Sequence, residues 1–354
     1  MPCLKGYTRL VGNDGDTPLH FAARYGSYDI VQLLLKRTDV DPNKENKDGD
    51  TPLHFAARYG SDDIVQLLLK RTDVDPNKRN KDGNTAFDIA AESEYFDIVK
   101  LLLGRTTIDP TRVYEDGNII LHKAARSREL ELVQLLLQIS NIDPNQKNKD
   151  GNTVLHKAAR RGELELVELL LELSNIDPNQ RNKDGDTPLH VAARKESHNI
   201  VQLLLERTDI DPNKGNKDGD TPLHDAAQKE SHNIVQLLLE RTDIDPNKGN
   251  KDGNTAFDIA AESEYFDIVK LLSGRTTIDP ARVYEDGNTI LHKATRKREL
   301  ELVQLLLEIS NIDPNQKNKD GNTVLHKAAR RGELELVELL LEISNIDPNQ
   351  RNKV

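Results

Sequence analysis

The sequence repeats itself every 34 residues. Asp-Gly pairs begin at Asp14, Asp48, Asp82, Asp116, Asp150, Asp184, Asp218, Asp252, Asp286 and Asp320, so residues 14–353 read as ten copies without a break. A period of this size predicts one stacked array, because each unit is too small to bury its own apolar face and must borrow its neighbour's. It also bears on function. A chemical group that recurs in the same place in every unit does not mark a one-off active site. Residues 1–13 form a short N-terminal segment outside the repeat.

Residues 48–81 represent the unit. Thr51 suits a helix N-cap, and Pro52 suits the first helical position, where no N–H is needed. Leu53, Ala56 and Ala57 share one face of a short helix, and the paired alanines let a neighbouring helix come close. Gly60 fits a left-handed helix end. A second helix over roughly 62–71 carries Ile64, Val65, Leu67, Leu68 and Leu69 on a broad apolar face. Pro76 holds the tail around Asp75 extended, and Asn80-Lys81-Asp82-Gly83 makes a turn.

These residues resemble the ankyrin repeat. Thr51-Pro52-Leu53-His54, Ala56-Ala57 and Ile64-Val65-Gln66-Leu67-Leu68-Leu69 carry the likeness, in phase over residues 14–353. The unit is one residue longer than the family's usual one, and Thr72-Asp73-Val74 stands where the family has Gly-Ala. Tetratricopeptide repeats share the length, but their Trp/Gly/Tyr pattern is absent and the chain has no Trp. The resemblance implies an all-α fold, a single ankyrin-type helix-turn-helix solenoid with projecting β-turn or hairpin loops and a concave groove. It implies protein binding as the usual role. It also implies a structural histidine at one site of the unit, present in eight of the ten copies and bonded to the turn and to the threonine hydroxyl: His20, His54, His122, His156, His190, His224, His292 and His326.

Asp plus Glu outnumber Lys plus Arg by 60 to 49, a net charge of −11, which argues against general affinity for nucleic acid. The single Cys3 excludes an intramolecular disulfide framework and points to a reducing compartment. The first residues have no apolar signal region, and no apolar run approaches a membrane span. The expectation is a cytoplasmic protein without cofactor, with secretion as an effector left open.

Differences between the copies supply the candidate sites. Phe21, Arg24 and Tyr25, and again Phe55, Arg58 and Tyr59, share a face oblique to the packed alanines. Tyr and Arg dominate binding hot spots, so these are the expected anchors; the alternative for Phe21 and Phe55 is core. Asp225 at the position of Phe55 argues for exposure there. Lys123 and Arg126, then Lys157, Arg160 and Arg161, form an expected basic strip, repeated five units on at Lys327, Arg330 and Arg331. It reads either as a solvated face or as a dock for acidic segments. Asp16 and Asp50 stand at expected turn tips.

Residues 252–353 copy 82–183 with only seven differences in 102 positions, which implies block duplication. Ser273 for Leu103 and Thr295 for Ala125 predict a weak point around 270–296. Glu94, Glu196 and Glu230 replace the helix-ending glycine, a strained choice if held left-handed. Leu4, Tyr7, Leu10 and Val11 either cover the first unit or fray. The last helix, near 334–341, is not made polar as a terminal cap would be, which raises head-to-tail self-association.

Motifs for chemistry are weak. His198 and His232 lie one unit apart without a further Cys or His, and Asp73-Val74-Asp75-Pro76-Asn77 lacks the Gly and Glu of a calcium loop. No phosphate-binding glycine loop occurs. The expected function is a non-catalytic protein-binding scaffold. Its rivals are a self-associating spacer and the recognition arm of a larger protein.

Overall fold

The computed structural model describes residues 14–139, 142–277, 279, 282–308 and 312–352. The expected cover by Leu4, Tyr7, Leu10 and Val11 lies outside these, as does Cys3. All regular structure among the described residues is helical, and no strand is formed there. Two compact units divide the chain, Met1–Asp150 and Gly151–Val354. The first holds α1 (Pro18–Arg24), α2 (Tyr28–Leu35), α3 (Pro52–Arg58), α4 (Asp62–Leu69), α5 (Ala86–Glu92), α6 (Phe96–Leu102), α7 (Ile120–Arg126) and α8 (Leu130–Leu137). The second holds α9 (Val154–Arg161), α10 (Leu164–Leu171), α11 (Pro188–Arg194), α12 (His198–Leu205), α13 (Pro222–Gln228), α14 (His232–Glu240), α15 (Ala256–Glu262), α16 (Phe266–Ser273), α17 (Ile290–Lys297), α18 (Leu300–Glu308), α19 (Val324–Arg331) and α20 (Leu334–Leu341).

Within each unit the helix pairs stack, first helix on first helix. Helices α1, α3 and α5 pack side by side, as do α9, α11, α13 and α15. Leu53, Ala56 and Ala57 on α3 are buried, and so are Ile64, Val65 and Leu68 on α4. Small alanines on the first helix and branched residues on the second therefore form a shared core, each large side chain contributing about 1.5–3 kcal/mol. Helices this short are marginal alone, so stacking supplies their stability.

Polar bonds run beside this core, from one turn to the next and from one repeat to the next. The Lys81 N–H donates to Asp48 O at 2.9 Å, and Lys217 N–H to Asp184 O at 2.9 Å, tying successive turns without forming strands. Gly185 has φ +81°, and a Cβ there would lie 2.6 Å from the Lys217 nitrogen, so the turn needs glycine both for its conformation and for the close approach. Arg71 explains the departure at Thr72-Asp73. Its guanidinium donates to Leu35 O at 3.0 Å, capping the preceding repeat's second helix, while Asp73 holds it at 2.5 and 2.8 Å. Arg105, Arg207, Arg241 and Arg275 reach the equivalent carbonyls at 2.6–2.8 Å.

The left-handed helix ends fall where the sequence places them. Gly60 has φ +70°, while Glu94, Glu196 and Glu230 are held at +60°, +56° and +57°. The expected weak point needs correction. Leu103 is half-buried just past the end of α6, so Ser273 does not hollow out a core, and its hydroxyl donates to Lys270 O at 2.8 Å. Thr295 is buried, but its hydroxyl is satisfied by Leu291 O at 2.7 Å.

Candidate binding face

The start of the first helix is built around a histidine in eight of the ten repeats; in α5 and α15 Asp88 and Asp258 take its place at the cap. In α3 the Thr51 N–H donates to His54 Nδ1 at 3.1 Å, and the Thr51 hydroxyl lies 2.8 Å from the same nitrogen. The Nδ1 atom must therefore accept, which leaves the proton on Nε2. That nitrogen donates to Asn84 O, in the turn of the next repeat, at 3.0 Å. One neutral ring thus caps a helix and ties down a turn. His20, His156, His190 and His224 repeat the arrangement, with turn bonds of 2.9–3.0 Å. His292 shares its hydroxyl and turn contacts. His326 has the threonine contact, at 2.8 Å. Burial lowers the pKa of His20, His54, His224 and His292, and takes His190 down to about 4.

One turn along from the histidines, the eighth, eleventh and twelfth residues of the repeat make a face. In the first two repeats it is aromatic. Tyr25 is 66% exposed and Tyr59 44%, and the Arg24 guanidinium lies over both rings, 5.7 and 5.4 Å from their centres. Phe21 beside them is 47% exposed.

Phe55 does not share that exposure and takes the core alternative instead of the anchor role. It is 6% exposed, packed edge-on against His20 at 5.3 Å, with Arg58 over its ring at 5.9 Å. The preceding repeat covers the eighth position. The inference from Asp225 fails for the same reason, since Asp225 is itself buried.

The expected tips are also corrected. Asp50 is buried, gripped by Arg58 at 2.5 and 3.2 Å and by Asn80 Nδ2 at 2.8 Å. Asp16 is half-buried and accepts from Asn46 Nδ2 at 2.8 Å. These side chains are rungs of an Asp/Asn ladder, and the exposed tip is the following Lys81-Asp82.

The basic strip shrinks. Lys123 is 2% exposed, with its ammonium 3.4 Å from Glu92 O, 3.4 Å from Asp116, 3.7 Å from Glu94 and 5.5 Å from the buried Tyr114 ring. Arg126 pairs with Glu94 and Asp116. Lys157 and Lys327 are half-buried, the latter 4.0 Å from Asp320. Arg160, Arg161, Arg330 and Arg331 remain exposed, with Arg161 held by Glu163 at 2.8 Å.

Two charged rungs escaped the sequence reading. One is the Lys123 and Tyr114 cluster, repeated as Lys293 and Tyr284 with the ring centre 5.4 Å from the ammonium. Its signal was present in three departures at once, Glu94 for Gly60, Tyr114 for Asn80 and Lys123 for Phe55. The other places the Arg194 guanidinium between Asp186 of its own repeat, at 2.7 Å, and Asp225 of the next, at 3.2 Å. Burial pushes the Asp225 carboxyl up to about 7 against the pull of Arg194. Its signal was that Val191/Asp225 and Arg194/Gln228 are the only differences between residues 184–217 and 218–251.

Among the described residues no group of three or more His, Cys, Asp or Glu is gathered as a metal site, and His198 and His232 are both exposed. No described helix is long and apolar enough to cross a membrane. Among family models, one described as ankyrin repeats in three copies matches residues 19–114, 121–216, 208–283 and 277–352. No curated protein matches the chain.

Proposed function

The chain belongs to the ankyrin-repeat family, and on that premise we propose that it holds partner proteins against the first-helix face of its repeats without catalysing a reaction. Repeats of this family are general protein–protein interaction modules. The observation that carries the reading is the pair of exposed tyrosines on consecutive repeats, bridged by Arg24. Tyrosine offers a large contact area for few rotatable bonds, and a ring already stacked on a guanidinium loses little further freedom on binding. Phe21 widens the apolar surface. An intracellular scaffold role fits a chain whose distinctive surface is a binding face.

In residues 151–354 the exposed pairs Arg160-Arg161 and Arg330-Arg331 stand five repeats apart. They suit a partner with two acidic segments, the second gaining from effective concentration once the first is held.

The test immobilises the full chain beside a Tyr25→Ala/Tyr59→Ala variant in cytosol and identifies the retained proteins by mass spectrometry. Partners held by the wild type and lost by the variant support the reading. The same set on both would sink it.

A further inference from the structure

Seven repeats carry arginine at the eleventh position: Arg24, Arg58, Arg126, Arg160, Arg194, Arg296 and Arg330. Four of these guanidinium groups are already taken by carboxylates of the chain. Arg58 is held by Asp50 and Arg194 by Asp186 and Asp225. Arg126 is held by Glu94 and Asp116, and Arg296 by Glu264 and Asp286. The position is therefore one at which this fold repeatedly seats a carboxylate on an arginine.

Arg24 has the same local equipment and a different outcome. Asp16 stands where Asp50 does, yet it bonds to Asn46 and makes no ion pair with Arg24. Among the described residues Arg24 pairs with no carboxylate, and its contacts are the ring faces of Tyr25 and Tyr59. Ring faces take the flat side of a guanidinium. They leave its N–H donors, which point outward in the plane, unconsumed.

We infer that Arg24, lying over the rings of Tyr25 and Tyr59, receives an aspartate or glutamate side chain of a bound peptide on its outward-facing N–H donors. The inference rests on the reading of this face as a protein-binding surface and names the chemistry of its occupant. A carboxylate matches the fork of the guanidinium with two parallel charge-assisted bonds. A cationic side chain does not fit, because Arg24 already fills the space between the aromatic rings. A polyanion is disfavoured by the net charge of −11. Phe21, one turn before Tyr25 on α1, offers an apolar surface to the residue beside the acid. The expected motif is an acidic residue next to an apolar or aromatic one.

The probe is a displayed library of random linear peptides, panned on the full chain and, in parallel, on Arg24→Gln, Arg24→Glu and Tyr25→Ala/Tyr59→Ala variants. Arg24 is half-buried on the surface, and thermal melts establish that each variant folds. Peptides selected by the wild type should carry the acidic-apolar pair and bind Arg24→Gln about tenfold to a hundredfold more weakly. Arg24→Glu should select lysine or arginine in place of the acid, a reversal that a merely structural arginine would not produce. Peptides that depend on the tyrosines but carry no acid, or that bind Arg24→Gln unchanged, overturn the inference and leave the binding face standing. Failure to select any tyrosine-dependent peptide overturns both.

Discussion

At the eighth position of the repeat, Phe55 on α3 and Lys123 on α7 are both buried, and by opposite chemistry. Phe55 meets His20 edge-on at 5.3 Å, and the preceding repeat covers it with apolar contact. Lys123 meets a preceding repeat that has been rebuilt around it. Glu94 replaces glycine at the end of α5, and Tyr114 replaces the ladder asparagine and turns its ring toward the ammonium at 5.5 Å. Asp116 and Glu92 O complete the shell at 3.4 Å each, the second at the C-terminal end of α5, where the helix dipole favours a cation. The environment of this position is a property of two repeats together. The later copy supports this. Lys297, in place of Ser127, takes Glu264 at 3.1 Å, and Lys293 pairs instead with Glu262 at 3.7 Å.

The comparison breaks most sharply if the lysine is moved without its shell. Phe55→Lys places an ammonium where the preceding repeat offers Gly26 and Asn46 instead of Glu94 and Tyr114. We expect a loss of about 4 kcal/mol or more, from lost apolar burial plus a buried charge whose shell keeps only Asp48, at the position of Asp116, read as a fall in the urea midpoint. A loss under about 1 kcal/mol would mean that the shell is dispensable. Lys123→Ala, which removes the centre and leaves the shell, should cost about 3 kcal/mol. That is the low end for breaking a buried ion pair, because Glu94 and Asp116 keep partial access to water and to Arg126.

Acid and base press on the repeats from opposite sides, and residues 184–254 contain both cases. His190 is neutral when folded and its pKa is lowered to about 4, below its ordinary 6.5. Its contribution is complete above about 6.5 and is lost as the pH falls toward 4, when a proton on Nδ1 would sever the bonds to Thr187. Asp225 runs the other way. Its pKa is raised from 3.8 to about 7, so its contribution is complete below 3.8 and lost as the pH rises through 7. Asp225→Val, which copies Val191, should therefore gain on the wild type by about 1 kcal/mol or more above pH 8 and by less at pH 5. A gain independent of pH would show that Asp225 stays ionised throughout.

The helices, caps and core were legible because each follows from one repeat's own residues: Thr51 and Pro52 start α3, the alanines pack it, and Gly60 ends it. The histidine geometry was legible through family likeness, its acceptor in the next turn lying 30 residues on. The burial of Phe55 and Lys123 was not, since each depends on a neighbour at a different position of the preceding repeat, nor was that of Asp50, whose partners Arg58 and Asn80 lie elsewhere in its own repeat. Helical periodicity places Phe55, Arg58 and Tyr59 on one face but does not say how far up that face the preceding repeat reaches. Tyr25, Tyr59 and Arg24 lie beyond that reach.

The smallest effects separate strain from pairing. Glu94 and Glu230 are both left-handed, at φ +60° and +57°, where a side chain costs about 1–2 kcal/mol relative to glycine. Glu94 offsets that cost by pairing with Lys123 and Arg126. Glu230 is exposed, and its carboxylate makes no ion pair among the described residues. Glu94→Gly should then destabilise by about 1–2 kcal/mol, because the loss around a buried lysine exceeds the relief of strain. Glu230→Gly should stabilise by about 1 kcal/mol, the relief reduced by the greater freedom of glycine in the unfolded chain. Opposite signs from one substitution at equivalent positions would show that the Glu94 strain is retained for the lysine rung. If both variants gain, the rung contributes less than its geometry suggests, and Lys123→Ala should then prove mild as well.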